Sequence, residues 1–73
     1  MATVRISAAR HADDPLQWVG APAIDRSNRI ERSPDLGLPE AAYRRIEEAV
    51  TRGSLEGGFA LEDGTRFHWF LDR

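Results

Sequence analysis

Apolar and polar residues alternate most clearly at the two ends of this chain. At the carboxyl end, Phe59 and Leu61 precede the turn sequence Glu62-Asp63-Gly64, and Phe67, Trp69 and Leu71 follow it. A two-residue type I′ turn at Asp63-Gly64 would set Leu61 opposite Arg66 and Phe59 opposite His68, mixing apolar and polar groups on one face. A three-residue loop with Gly64 in the left-handed conformation, as a G1 bulge, instead pairs Leu61 with Thr65 and Phe59 with Phe67. A slip of one residue turns every side chain to the opposite face, so the apolar pattern selects the second register. Phe59, Leu61, Phe67, Trp69 and Leu71 then face a core, while Arg66, His68 and Phe70 face outward.

At the amino end, Ala2, Val4 and Ile6 alternate with Thr3, Arg5 and Ser7, the period of a half-buried strand. Ala8 to Asp14 is small and polar, and Pro15 opposes a helix through it, which predicts a loop. Leu16, Trp18 and Val19 allow a short strand around Gln17 to Val19, and Gly20-Ala21-Pro22 must end it. Asp25 to Arg32 carries one large aliphatic residue, Ile30, and reads either as solvated loop or as a short edge strand centred there. Residues 8–35 are the least self-sufficient third of the chain, loop-rich or partly flexible.

The spacing of Ala42, Tyr43, Ile46, Ala49 and Val50 predicts an amphipathic helix over Pro39 to Arg52. Pro39 suits its first turn and Gly53 the left-handed position that ends it, with Leu55 folding back on the helix end. Glu40 to Arg44 and Glu48 to Arg52 are i,i+4 pairs that contribute about 0.2 to 0.5 kcal/mol each. Together these elements predict one small α+β domain: an antiparallel sheet containing the carboxyl-terminal hairpin and the amino-terminal strand, packed on one helix, with an irregular middle.

Size and charge narrow the function. A chain of 73 residues is near the lower limit for a self-sufficient core, which disfavours a deep catalytic cavity. Without cysteine it has neither a disulfide framework nor a thiolate zinc site. The amino terminus has no continuous apolar stretch of signal-peptide type and no segment is long enough to span a bilayer, so a cytoplasmic protein with no membrane partner is expected. Ten basic and twelve acidic residues are interspersed, giving a net charge of -2, which argues against a protein devoted to neutralising phosphates. All ten basic residues are arginine. A GC-rich coding sequence is the plainer reading of that bias; in either case arginine is the basic residue enriched at protein interfaces.

Candidate chemistry is sparse. His11, Asp13 and Asp14 form the nearest approach to a metal cluster but lack a further ligand, and a solvated polar loop accounts for them. His68 has no serine, cysteine or carboxylate at a telling spacing, so no catalytic residue is assigned and no cofactor or metal is implied. Catalysis would require a composite site shared with another subunit. Phe70 is either an interface aromatic flanked by Arg66 and His68 or a residue covered by the amino-terminal strand or the 16–30 segment. Trp69 belongs to the core by alternation, and Trp18 is either an anchor of its segment or an exposed hot spot.

These observations favour a non-enzymatic protein-binding regulator that inhibits or redirects a larger assembly. Arg66, His68 and Phe70, with Arg5, Arg26 and Arg29, are the candidate partner-binding residues. The alternative is a small nucleic-acid-binding regulator using Arg26, Arg29 and Arg32, although Asp25, Glu31 and Asp35 interrupt the charge and no aromatics interleave. The exposed edge of the hairpin allows a monomer or a weak dimer. In size, lack of cysteine and the order of one helix then a hairpin over Pro39 to Leu71, the chain resembles the small RNA-polymerase-binding transcription regulators of lytic bacteriophages, such as that of a Xanthomonas phage. The resemblance implies binding to a large subunit of bacterial RNA polymerase, inhibition of promoter engagement and effects on termination. It rests on no shared residue motif, so it assigns no functional residue.

Overall fold

The computed structural model describes residues 2–73 and shows an α+β fold, one helix against an antiparallel sheet. The strands are β1 (Ala2–Ala9), β2 (Gln17–Gly20), β3 (Ala23–Ile24), β4 (Glu56–Ala60) and β5 (Arg66–Asp72), and the helix α1 is Glu40–Thr51. The sheet order is β2-β1-β5-β4, with β3 also paired to β1.

The hairpin adopts the three-residue loop. Phe59 pairs with Phe67, and the Leu61 N–H donates to the Thr65 carbonyl at 2.9 Å. Gly64 has φ +91°, a conformation that disfavours any residue with a Cβ. The Asp63 carboxylate accepts the Thr65 N–H at 2.9 Å, a bond that also lowers its pKa. Phe67 and Trp69 are buried, and the Phe59 ring stacks on Phe67 with centroids 5.1 Å apart. The apolar face assigned from alternation is the face that packs inward.

β1 lies between β2 and β5, and its pairing with β5 extends that parity. Val4 lies opposite Leu71, Ile6 opposite Trp69 and Ala8 opposite Phe67 on the inner face. Val4 and Ile6 are completely buried. The strand continues to Ala9, two residues beyond the alternating sequence, because β5 still offers Phe67 and Arg66 as backbone partners there.

The middle of the chain holds more regular structure than its composition suggests. β2 pairs with β1 through Ser7 and Trp18, with a one-residue bulge after Ile6. Gly20-Ala21-Pro22 then interrupts the strand, as its turn chemistry requires, while the Pro22 carbonyl still accepts the Val4 N–H. Leu36 packs so closely on Gly20 that a Cβ there would lie 2.6 Å from a Leu36 methyl. Beyond β3, Asp25 organises a tight turn by accepting the Ser27 and Arg29 N–H groups, and Asn28 takes a positive φ of 62°. Ile30 pairs with Ile24 in a single bridge, and both side chains enter the core. Of the two readings of the Ile30 segment, edge pairing is the one realised, in its shortest form.

Helix α1 lays Ala42, Tyr43 and Ile46 into the core against Val4, Ile6, Phe67 and Trp69. Pro39 is the residue before the first helical turn rather than within it, with extended ψ of 152°. At the other end, the Ser54 N–H reaches the Ala49 carbonyl and the Gly53 N–H the Val50 carbonyl, both at 2.9 Å, with Gly53 at φ +96°. This is the Schellman arrangement. Leu55 does not close it: Ser54 occupies the contact position and Leu55 is 62% exposed. Arg44 pairs with Glu40 at 3.2 Å, while among the described residues Glu48 and Arg52 form no ion pair with each other.

Gly64→Ala tests the loop that sets the register. The left-handed conformation should cost about 1–2 kcal/mol with a Cβ present. Urea unfolding should show that loss, and an unchanged midpoint would rule out the bulged turn.

Candidate protein-interaction face

The helix covers one side of the sheet and leaves the other open. On that open side, strand register aligns Trp18, Ser7, His68 and Gly58 in one row and Arg5, Phe70 and Glu56 in the next. Arg5 is central. Its guanidinium lies 5.1 Å from the Trp18 ring centroid and 5.6 Å from that of Phe70, and it contacts the Asp72 carboxylate at 3.4 Å. Trp18 is 58% exposed and Phe70 42% exposed. Two large aromatics bridged by an arginine therefore face solvent, contributing about 0.5–1 kcal/mol per exposed cation–π contact.

Of the two readings of Phe70, the structure places it outward, covered by neither β1 nor the 16–30 segment. Trp18 joins it, because Val19 turns toward the core and strand alternation sends Trp18 to the opposite side. The alternation of Trp18 with Val19 was the signal in the sequence, but the bulge against β1 decides that Trp18 meets Arg5. His68 sits 3.6 Å from Glu56 in the next strand.

Arg66 has a different role from the one its pattern suggests. It is half-buried and donates from Nη2 to the Asp14 carbonyl at 2.8 Å, tying the 10–16 loop to the sheet. Its Nε is buried without a partner. Ala9, directly opposite Arg66, is buried. Arg66 thus closes one end of the open face rather than presenting a free guanidinium.

The arginines of the middle segment lie elsewhere. Arg32 donates to both oxygens of Glu40, at 2.9 and 2.7 Å, and also to Glu47 and to the Ile30 carbonyl, with its guanidinium 4.4 Å from the Tyr43 ring centroid. Glu47 in turn accepts the Ile30 N–H at 2.8 Å and has Arg29 at 3.8 Å. Arg29 and Arg32 therefore serve to clamp the Ile30 segment to the helix. Arg26 is exposed on the Asp25–Asn28 turn, bordering a shallow groove with Ala2 and Leu71. Of the six candidate binding residues, Arg5, His68 and Phe70 form one surface, Arg66 borders it, and Arg26 and Arg29 are separate from it.

No group of three or more histidine, cysteine, aspartate or glutamate residues is arranged to hold a metal among the described residues. No helix among them is long and apolar enough to cross a membrane. No protein-family model, curated protein or solved structure matches the chain.

The clamp makes stability pH-dependent. Hydrogen bonds from Arg32, and secondarily Arg44, hold the Glu40 carboxyl at about 2 against an ordinary value of 4.5. Burial pushes the Glu47 carboxyl up, but hydrogen bonds from Arg32 and the Ile30 N–H outweigh it and the net shift is downward. Both carboxyls bind protons less readily when folded, so their contribution is complete above pH 4.5 and is lost as pH falls below it, for Glu40 toward about 2. Arg32→Gln should cost about 1–3 kcal/mol at neutral pH by leaving Glu47 short of a partner. It should also flatten the acid slope of the melting temperature, and an acid slope equal to that of the wild type would refute the clamp.

Proposed function

We propose that the chain is a non-enzymatic regulator that acts by stoichiometric binding to a larger protein assembly in the cytoplasm, with the open sheet face as its docking surface. The observation that carries this reading is the Trp18–Arg5–Phe70 stack. Exposed indole and phenyl rings bring no core stability, whereas tryptophan and arginine are among the residues that dominate protein-interface energies. The stack also limits the rotamer freedom of Arg5, reducing the entropy lost on docking. A partner surface that fits it offers an apolar group to Phe70 and Trp18 and a carboxylate that can compete with Asp72 for Arg5.

Nucleic-acid binding through Arg26, Arg29 and Arg32 has less support, because Glu40 and Glu47 already engage two of the three. The resemblance to phage transcription regulators makes bacterial RNA polymerase the first partner to test, with inhibited promoter engagement as the functional readout.

Phe70→Ala and Arg5→Ala should each weaken binding to purified polymerase by about 2 kcal/mol or more, as hot-spot truncations do. Phe70→Ala removes one exposed cation–π contact and Arg5→Ala two, at about 0.5–1 kcal/mol each, so binding is compared at a temperature where both variants remain folded. Arg29→Ala should leave binding intact. Should polymerase not bind, capture from a bacterial lysate compares wild type with Phe70→Ala. An identical set of captured proteins for the two would sink the docking-face assignment.

A further inference from the structure

The sheet has two edges, and they are protected very differently. The β2–β3 edge is short, bulged and broken at Gly20-Ala21-Pro22. The β4 edge, Glu-Gly-Gly-Phe-Ala, contains no proline, no lysine and no bulge against β5. Such edges are templates for pairing with another strand, and proteins commonly block them. The hydrogen bonding of the hairpin identifies which groups are free. Leu61 donates to Thr65 and Leu71 donates to Leu55, so residues 55, 57, 59 and 61 direct their backbone groups toward β5. By alternation, the N–H and C=O of Glu56, Gly58 and Ala60 point away from the sheet.

We propose that β4 pairs antiparallel with β4 of a second copy about a two-fold axis at Gly58, joining the two sheets into one. In that register Gly58 faces Gly58, Glu56 faces Ala60 of the other copy, and the three free residues supply both donors and acceptors. On the inner face, Leu55 meets Leu61 and Gly57 meets Phe59 of the second copy. The alignment provides a cross-strand neighbour for Leu55, which is 62% exposed in the single chain.

Other symmetric registers fit less well. Centring on Glu56 opposes two carboxylates, and centring on Phe59 sets Glu56 against Glu62 and Leu55 against Asp63. Centring on Gly57 leaves Leu61 opposite Gly53 and takes Leu55 away from Leu61. An odd offset would pair inner-face with outer-face side chains. The second copy is thus the occupant whose sequence is complementary to this edge. Because the pairing keeps equivalent faces on the same side, the dimer presents two Trp18–Arg5–Phe70 stacks to a partner at once.

Sedimentation velocity over a wide concentration range should show the wild-type chain passing from one to two chain masses. Ala60→Pro removes an edge N–H and Leu55→Lys places a charge against Leu61; each acts twice across the axis and should raise the dimer dissociation constant about tenfold or more. Leu55→Lys alters an already exposed side chain, so it keeps the test valid if the proline variant fails to fold. Cysteine is absent from the chain, which permits a register test with Glu56→Cys and Ala60→Cys. Mixed and oxidised, the two variants should cross-link to each other, and neither should cross-link alone. A monomer at every concentration, unchanged dimerisation in both edge variants, or cross-linking of either cysteine variant alone would overturn the proposal. A strictly monomeric chain that still loses partner binding on Phe70→Ala would leave the docking face standing and remove only the dimer.

Discussion

The pairing of β1 with β5 is the constraint on which the rest of the structure depends. It aligns Val4 with Leu71 and Ile6 with Trp69, and it removes the apolar side chains of Val4, Ile6 and Trp69 almost entirely from water. At about 1.5–3 kcal/mol for each large apolar side chain, these few residues represent much of the stability open to so small a domain. The parity of this pair is not set locally. It follows from the loop at Gly64, which decides which residues of β5 face the helix, and β1 must match that choice or lose its own apolar contacts. One left-handed glycine therefore propagates through β5 to β1 and determines that Arg5 emerges beside Phe70.

A second constraint attaches the middle segment. That segment lacks an apolar stripe, yet it contributes Ile24 and Ile30 to the core and is fastened at Ile30 by Glu47 and Arg32. Arg32 satisfies two helix carboxylates and a carbonyl while lying against Tyr43, a geometry that suits a planar, multi-donor guanidinium and that lysine could not reproduce. The arginine usage of the chain thus acquires different physical roles at different sites. Arg32 holds the fold together, Arg66 anchors a loop, and Arg5 is held between two exposed rings.

Two surfaces are left uncommitted by these constraints, and they differ in kind. The open face offers aromatic area and charge, which suit recognition of a different protein. The β4 edge offers backbone donors and acceptors in a self-complementary order, which suits another copy of the same strand. Occupying the edge does not cover the face, so the two interactions are compatible within one assembly.

Local chemistry made much of this legible in advance. The Glu62-Asp63-Gly64 loop, the hairpin faces, the buried stripe of α1 and the alternation of β1 are short-range patterns, each governed by residues a few positions apart. The single helix, the α+β class and the outward direction of Phe70 followed from them. Other features depended on partners far away in the chain. Leu55 is exposed because Ser54, not Leu55, takes the Schellman contact position. Arg29 and Arg32 are paired because α1 brings Glu40 and Glu47 to them across intervening loop. Trp18 reaches Arg5 only because β2 bulges against β1. Sequence by itself determined which side chains alternate and where turns must fall, since those depend on steric preference and short-range periodicity. Tertiary structure alone decided which arginines are neutralised and which aromatics remain bare, because ion pairing and exposure depend on what distant strands and the helix bring within a few ångströms.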